Sequence, residues 1–189
     1  MNVLFEAALE FQHFCRDRNW RHCIIGGLAA IRWGEPRGTR DVDVSLLTGF
    51  GDEARYVDAI LAQFEARIHD ARQFALENRV LLVHAANGIP IDVALAAIPF
   101  EERLIERATP FAFAPGVSLA TCSAEDLVIL KVFAGRQQDW VAVEGILARQ
   151  RTGLDWTYID EQLLRLCELR EDTETLRHLQ QLRRSLDAP

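Results

Sequence analysis

Lysine is all but missing from this sequence: of 21 basic residues only Lys131 is a lysine, and the other twenty are arginines. A composition so tilted toward arginine points to position 131 as one where a compact ammonium serves and a planar guanidinium does not. The alternative is a surface lysine paired with an acid. Cysteine is also sparse. Cys15, Cys23, Cys122 and Cys167 match no Cys-x-x-Cys or Cys/His zinc spacing, and the five histidines do not pair with them, so they read as reduced structural thiols. No run approaches the ~20 apolar residues of a membrane span, and the N-terminus lacks a basic region followed by an apolar stretch. The expectation is a cytoplasmic protein without a membrane partner. Positive charge is in deficit too: the formal net charge of −7 disfavours broad nonspecific binding to nucleic acid, though not a local basic patch.

What is present is acid in a particular pattern. Asp41 and Asp43 lie in Thr39-Arg40-Asp41-Val42-Asp43-Val44, and an extended strand sends alternate side chains to one face. Two carboxylates so close repel unless a cation lies between them, and rigid oxygen ligands suit Mg²⁺, with Mn²⁺ as the alternative ion. Upstream lies Ile24-Ile25-Gly26-Gly27, with thirteen residues between Gly27 and Asp41; downstream, Ile91-Asp92-Val93 reads as a strand with Asp92 facing away from the core. Three acids on two strands can hold two Mg²⁺ ions and deprotonate an attacking hydroxyl, while a Gly-Gly pair lets phosphate oxygens reach backbone N–H groups. An isolated Asp-x-Asp is more often the polar face of a half-exposed strand; the glycines and third acid shift the balance.

On these residues the chain resembles the minimal nucleotidyltransferase superfamily, the DNA polymerase beta-like fold, whose pattern is a Gly-Gly or Gly-Ser, then Asp-x-Asp, then a third acid. Within it the sequence is most similar to AbiEii/MenT-like toxin nucleotidyltransferases. That likeness rests on Gly26-Gly27-Leu28-Ala29-Ala30, Arg37-Gly38-Thr39-Arg40-Asp41-Val42-Asp43, Ser123-Ala124-Glu125-Asp126-Leu127 with Lys131, and Arg136-Gln137-Gln138-Asp139-Trp140. The resemblance implies an α/β (α+β) fold: a short mixed, twisted sheet flanked by helices, with a C-terminal helical bundle. It divides the chain into a catalytic domain at 1–121 and a helical region at 122–189.

Along the chain, apolar spacing predicts helices at 3–17, 28–33, 52–64 with Asp52 as N-cap, and 100–107. Strands are expected at 22–25, around Asp41, and at 79–86 and 89–96 about Asn87-Gly88, the strongest hairpin signal here. One or two short strands fill 109–121. Ser123 with Asp126 resembles a capping box, Gly135 closes the helix it opens, and helices follow at 137–150, 155–169 and 173–186. Trp33, Trp140 and Trp156 fall on apolar faces and are expected in the core.

The resemblance implies transfer of a nucleoside monophosphate from an NTP, such as ATP, to a hydroxyl. Asp41 and Asp43 bridge the metals, Asp92 binds the metal that activates the acceptor or acts as base, and Gly26 and Gly27 cradle the β and γ phosphates. Thr39 bonds a phosphate or orients Asp41, or is merely a strand former. Lys131 meets the triphosphate; Arg136 and Asp139 either hold substrate and Lys131 or form a helix salt bridge. The implied acceptor is a tRNA 3′ end, with a cognate antitoxin as partner. The alternatives are a small-molecule acceptor of antibiotic type, a protein acceptor, or a catalytically silent module that binds nucleotide or a partner.

Overall fold

A computed structural model describes residues 2–35, 38–150, 152–170 and 174–187. The described residues form seven strands and nine helices in two compact units: residues 2–29 with 38–122, and residues 30–35 with 123–150, 152–170 and 174–187. The first unit holds α1 (Val3–Asp17), β1 (His22–Ile24), the start of α2 (Gly26–Trp33), β2 (Val42–Leu47), α3 (Glu53–Leu61), β3 (Glu65–Ala66), α4 (Ala71–Asn78), β4 (Val80–His84), β5 (Pro90–Ala96), α5 (Pro99–Glu106), β6 (Thr109–Ala114) and β7 (Val117–Thr121). The second holds the end of α2, then α6 (Ala124–Ala134), α7 (Gln137–Gln150), α8 (Trp156–Arg170) and α9 (Glu174–Asp187).

The seven strands form one mixed sheet in the order β3-β4-β5-β2-β1-β7-β6, with β2 parallel to β5, β1 parallel to β7 and the other pairs antiparallel. Parallel β2 and β5 lie side by side because the chain between them makes α3, β3, α4 and β4 before returning. The central strands bury Val42, Val44, Leu46, Ile91, Val93 and Leu95, and period-two alternation leaves Asp43 and Asp92 half-buried on the other face. Helix α1 lays Leu4, Ala7, Ala8, Phe11, Phe14 and Cys15 against β1 and β7. Phe64 joins Phe11 and Phe14 with ring centroids 5.2 and 5.1 Å apart, so truncating Phe11 to Ala costs roughly 3–5 kcal/mol.

β7 meets β1 in a single registered pair, Ile24 with Thr121, which leaves backbone groups of β7 to be satisfied otherwise. Buried Gln12 does so: its Nε2 donates to the Ser118 carbonyl at 2.9 Å, and the Ala120 N–H donates to its Oε1 at 2.8 Å. At the C-terminal ends of β2 and β5, Arg79 adopts a left-handed backbone (φ +55°) and donates to the carbonyls of Leu95 and Gly49 at 2.6 and 3.1 Å, while pairing with Glu53.

Several elements differ from the sequence expectation. Asp52 stands at the N-cap of α3 but makes no side-chain capping bond; its carboxylate lies 3.7 Å from Arg55 instead. β3 and α4 were not foreseen, because α4 carries a mostly polar sequence and β3 is two residues long, too short for any period to show. Helix α2 begins at Gly26, two residues earlier than its apolar spacing implies.

In the second unit, the Ser123 hydroxyl caps α6 by accepting from the Asp126 N–H at 3.1 Å. The reciprocal half of the expected box is replaced: buried Asp126 accepts from the Ser123 hydroxyl at 2.7 Å and from the Tyr158 hydroxyl of α8 at 2.6 Å. Gly135 ends α6 with φ +68°, and α6 buries Leu127, Val128, Ile129 and Val132 where it meets α7, α8 and α9. Trp33, Trp140 and Trp156 are only half-buried. Each has a polar or cationic partner at the surface: Arg32 over Trp33, His178 against Trp140 and Arg183 over Trp156. Their amphipathic rings border the core instead of filling it.

Candidate functional site

Register brings the acids together. Asp43 of β2 is the direct partner of Asp92 on parallel β5, so the two carboxylates leave the same face of adjacent strands. Asp41 lies one residue before β2 and keeps the same parity. Asp41, Asp43 and Asp92 each offer a carboxylate oxygen, and the three atoms lie within 4.8 Å of one another. Three like charges at that spacing are unfavourable without a cation, and oxygen donors alone match a hard divalent ion.

The surrounding residues aim the acids. The Thr39 hydroxyl donates to Asp41 Oδ1 at 2.9 Å. The Gly27 N–H donates to Asp43 Oδ2 at 3.3 Å. The glycine pair is required by the protein itself: a Cβ at Gly26, where φ is +59°, would lie 1.8 Å from Asp43 Oδ2, and one at Gly27 would lie 2.3 Å from the Thr39 hydroxyl. No real Cβ tolerates such contacts, so the first turn of α2 admits Asp43 and Thr39 only because both side chains are absent. Arg37 lies outside the described residues.

A fourth residue was missed by sequence reading. Arg67, just after β3, pairs through Nη1 with Asp92 Oδ1. Twenty-five residues separate the two, no motif links them, and in a chain with twenty arginines nothing singles out this one.

The second unit gathers the remaining sequence-predicted residues. Asp139, in the first turn of α7, is fully buried. Its Oδ1 accepts from Lys131 Nζ at 2.8 Å and its Oδ2 from Arg136 Nε at 2.6 Å. Burial pushes the Asp139 carboxyl up, but the hydrogen bonds from Arg136 and Lys131 outweigh it and hold the group below the ordinary 3.8. The Arg136–Asp139 contact is therefore more than a surface helix pair. Asp139 fixes the only lysine of the chain, whose side chain is 19% exposed, with one of the three ammonium N–H bonds committed to it.

Among the described residues, no helix is long and apolar enough to cross a membrane. No protein-family model matches the chain, and no curated protein matches it. Solved structures do. An antigenic nucleotidyltransferase-like protein from Paracoccidioides brasiliensis aligns at 14% identity over 92% of this chain and 92% of that one, with a TM-score of 0.54. The lincosamide antibiotic adenylyltransferase LnuA, solved with lincomycin bound, aligns at 8% identity over 75% of this chain and 94% of that one, with a TM-score of 0.50. At such identities the likeness is one of architecture, and it agrees with the mixed sheet and the strand-borne acids: the chain has the nucleotidyltransferase fold.

Proposed function

We propose that this chain is a divalent-metal-dependent nucleotidyltransferase that moves a nucleoside monophosphate from an NTP to a hydroxyl group and releases pyrophosphate. One observation carries the reading: Asp41, Asp43 and Asp92 converge within 4.8 Å beside a glycine turn shaped to admit one of them. The three-carboxylate donor set fits Mg²⁺ or Mn²⁺. When bound, such an ion neutralises phosphate charge and lowers the pKa of a coordinated hydroxyl. The chain's own residues do the rest. Asp41 and Asp43 present their oxygens in fixed directions because Thr39 and the Gly27 N–H hold them. Asp92 receives the acceptor's proton. In the second unit, buried Asp139 gathers Lys131 and Arg136 into one hydrogen-bonded cluster.

The proposed acceptor is a small hydroxyl-bearing molecule that is neutral or cationic. The net charge of −7 supports it, since a polyanionic acceptor would be repelled over most of the surface. The lincosamide adenylyltransferase of the same fold offers a precedent for the class. The second reading keeps the tRNA 3′ end as acceptor and an antitoxin as partner. It is favoured by Lys131, Arg136 and Asp139, residues that carry the resemblance to AbiEii/MenT-like toxins and that cluster here.

The test incubates the protein with Mg²⁺ and each α-labelled NTP, in parallel with total tRNA, a lincosamide and an aminoglycoside, beside the Asp41→Ala variant. Label on a drug with the unmodified protein alone supports the first reading; label on tRNA supports the second. Absence of Mg²⁺-dependent NTP turnover with every acceptor overturns both.

A further inference from the structure

Four positions stand in one row across the sheet. Asp43 on β2 registers with Asp92 on β5, Asp92 registers with Leu82 on β4, and the Arg67 N–H donates to the Leu82 carbonyl at 3.0 Å, extending the β3 edge by one residue. Arg67 therefore spans the width of β4 to reach Asp92. The side chains are 28% and 33% exposed, so the pair is partly shielded from water, and Asp92 is the sole ion-pair partner of Arg67 among the described residues.

We propose that Arg67 is a resident counter-cation that competes with the divalent metal for Asp92. The inference rests on the reading of the acid triad as a metal centre. In the metal-free protein three clustered carboxylates repel, and the guanidinium offsets one of those charges. A divalent ion that takes Asp92 as a ligand draws on the same carboxylate and is repelled by the adjacent cation, so loading of this position requires the ion pair to loosen or open. Asp41 accepts from the Thr39 hydroxyl, and Asp43 accepts from the Gly27 N–H. Arg67, once displaced, keeps its charge next to the reacting groups. Arg67 is in this sense a positioning residue acting through Asp92.

The test measures Mn²⁺ binding by electron paramagnetic resonance and thermal unfolding, in EDTA and in saturating Mn²⁺, for the full chain and for Arg67→Gln, Arg67→Lys and Asp41→Asn. Arg67→Gln is expected to bind Mn²⁺ about tenfold more tightly. In EDTA it melts about 2–4 °C lower, a deficit that closes in saturating Mn²⁺. Arg67→Lys, which keeps the charge, stays closer to the unmodified protein. Unchanged or weaker Mn²⁺ binding by Arg67→Gln overturns the competition, because an arginine that merely braced Asp92 would weaken binding when removed. If the unmodified protein binds no Mn²⁺, or Asp41→Asn leaves its binding intact, the metal centre itself fails and the inference falls with it. Binding that responds to Asp41→Asn but not to Arg67→Gln removes the inference alone.

Discussion

Two clusters of charge, one in each unit, are built on opposite rules. In the first unit three half-buried carboxylates converge, and one of them, Asp92, pairs with the Arg67 guanidinium. In the second, one fully buried carboxylate is shared by an ammonium and a guanidinium. The first arrangement is costly by itself and is relieved by a bound cation. The second is self-satisfied at its centre, since Asp139 receives hydrogen bonds on both oxygens, while Lys131 and the more exposed Arg136 reach water. The contrast separates stability from function. Removing an acid from the first cluster should cost activity and little folding energy; removing the acid from the second should cost folding energy as well.

The largest effect expected is from Asp43→Ala. It should lower nucleotidyl transfer on the order of a thousandfold, as for loss of a transition-state charge contact. Melting in EDTA should stay level or rise, because like-charge repulsion is relieved. Assays of labelled NTP turnover and thermal scans check both, and a clear drop in melting temperature would show that the acid is structural.

Gly26→Ala attacks the same cluster through the backbone. Its Cβ would meet Asp43 Oδ2 at 1.8 Å from a left-handed φ of +59°, so the carboxylate must move. An activity loss of about a hundredfold and destabilisation of roughly 1–3 kcal/mol are expected, read from turnover and urea unfolding.

Asp139→Asn tests the other half of the comparison. It leaves Lys131 and Arg136 without their shared carboxylate and should cost about 2 kcal/mol, below the range for fully buried pairs because both cations reach water. The pH dependence has a defined sign. The folded-state pKa of Asp139 is held below 3.8, so its ion pairs contribute fully above that value and are lost as pH falls through the lower folded value. Urea midpoints between pH 2 and 6 should show a shallower acid limb in the variant.

Lys131→Arg should have the smallest effect, about a tenfold fall in turnover with near-normal stability, since the charge is kept but a fork replaces a point contact. Unchanged turnover would assign Lys131 to holding Asp139 alone.

Much of this was legible beforehand. The Asp41/Asp43 spacing and the Asn87-Gly88 hairpin that carries Asp92 are period-two and turn signals, which depend on nearest neighbours in the chain. The hairpin forms as expected, with Gly88 at φ +78° and His84 registered with Pro90. Gly135 as a helix terminator is equally local. Less legible was why the glycines matter: Gly26 makes room for an aspartate seventeen residues away, a reason visible only once β2 lies beside α2.

The amino-acid sequence by itself determined which residues stand as candidates for the chemistry: the three acids and their parity, the glycine pair, and a single lysine among arginines. These follow from side-chain type and short-range spacing, which backbone geometry turns into direction. Only the tertiary structure decided what those groups meet. Strand order set Asp43 opposite Asp92, carried Arg67 across β4 to claim that carboxylate, and buried Asp139 beneath two cations. Contacts between residues far apart in the chain arise from sheet register and helix packing, and no local pattern encodes which of twenty arginines will arrive.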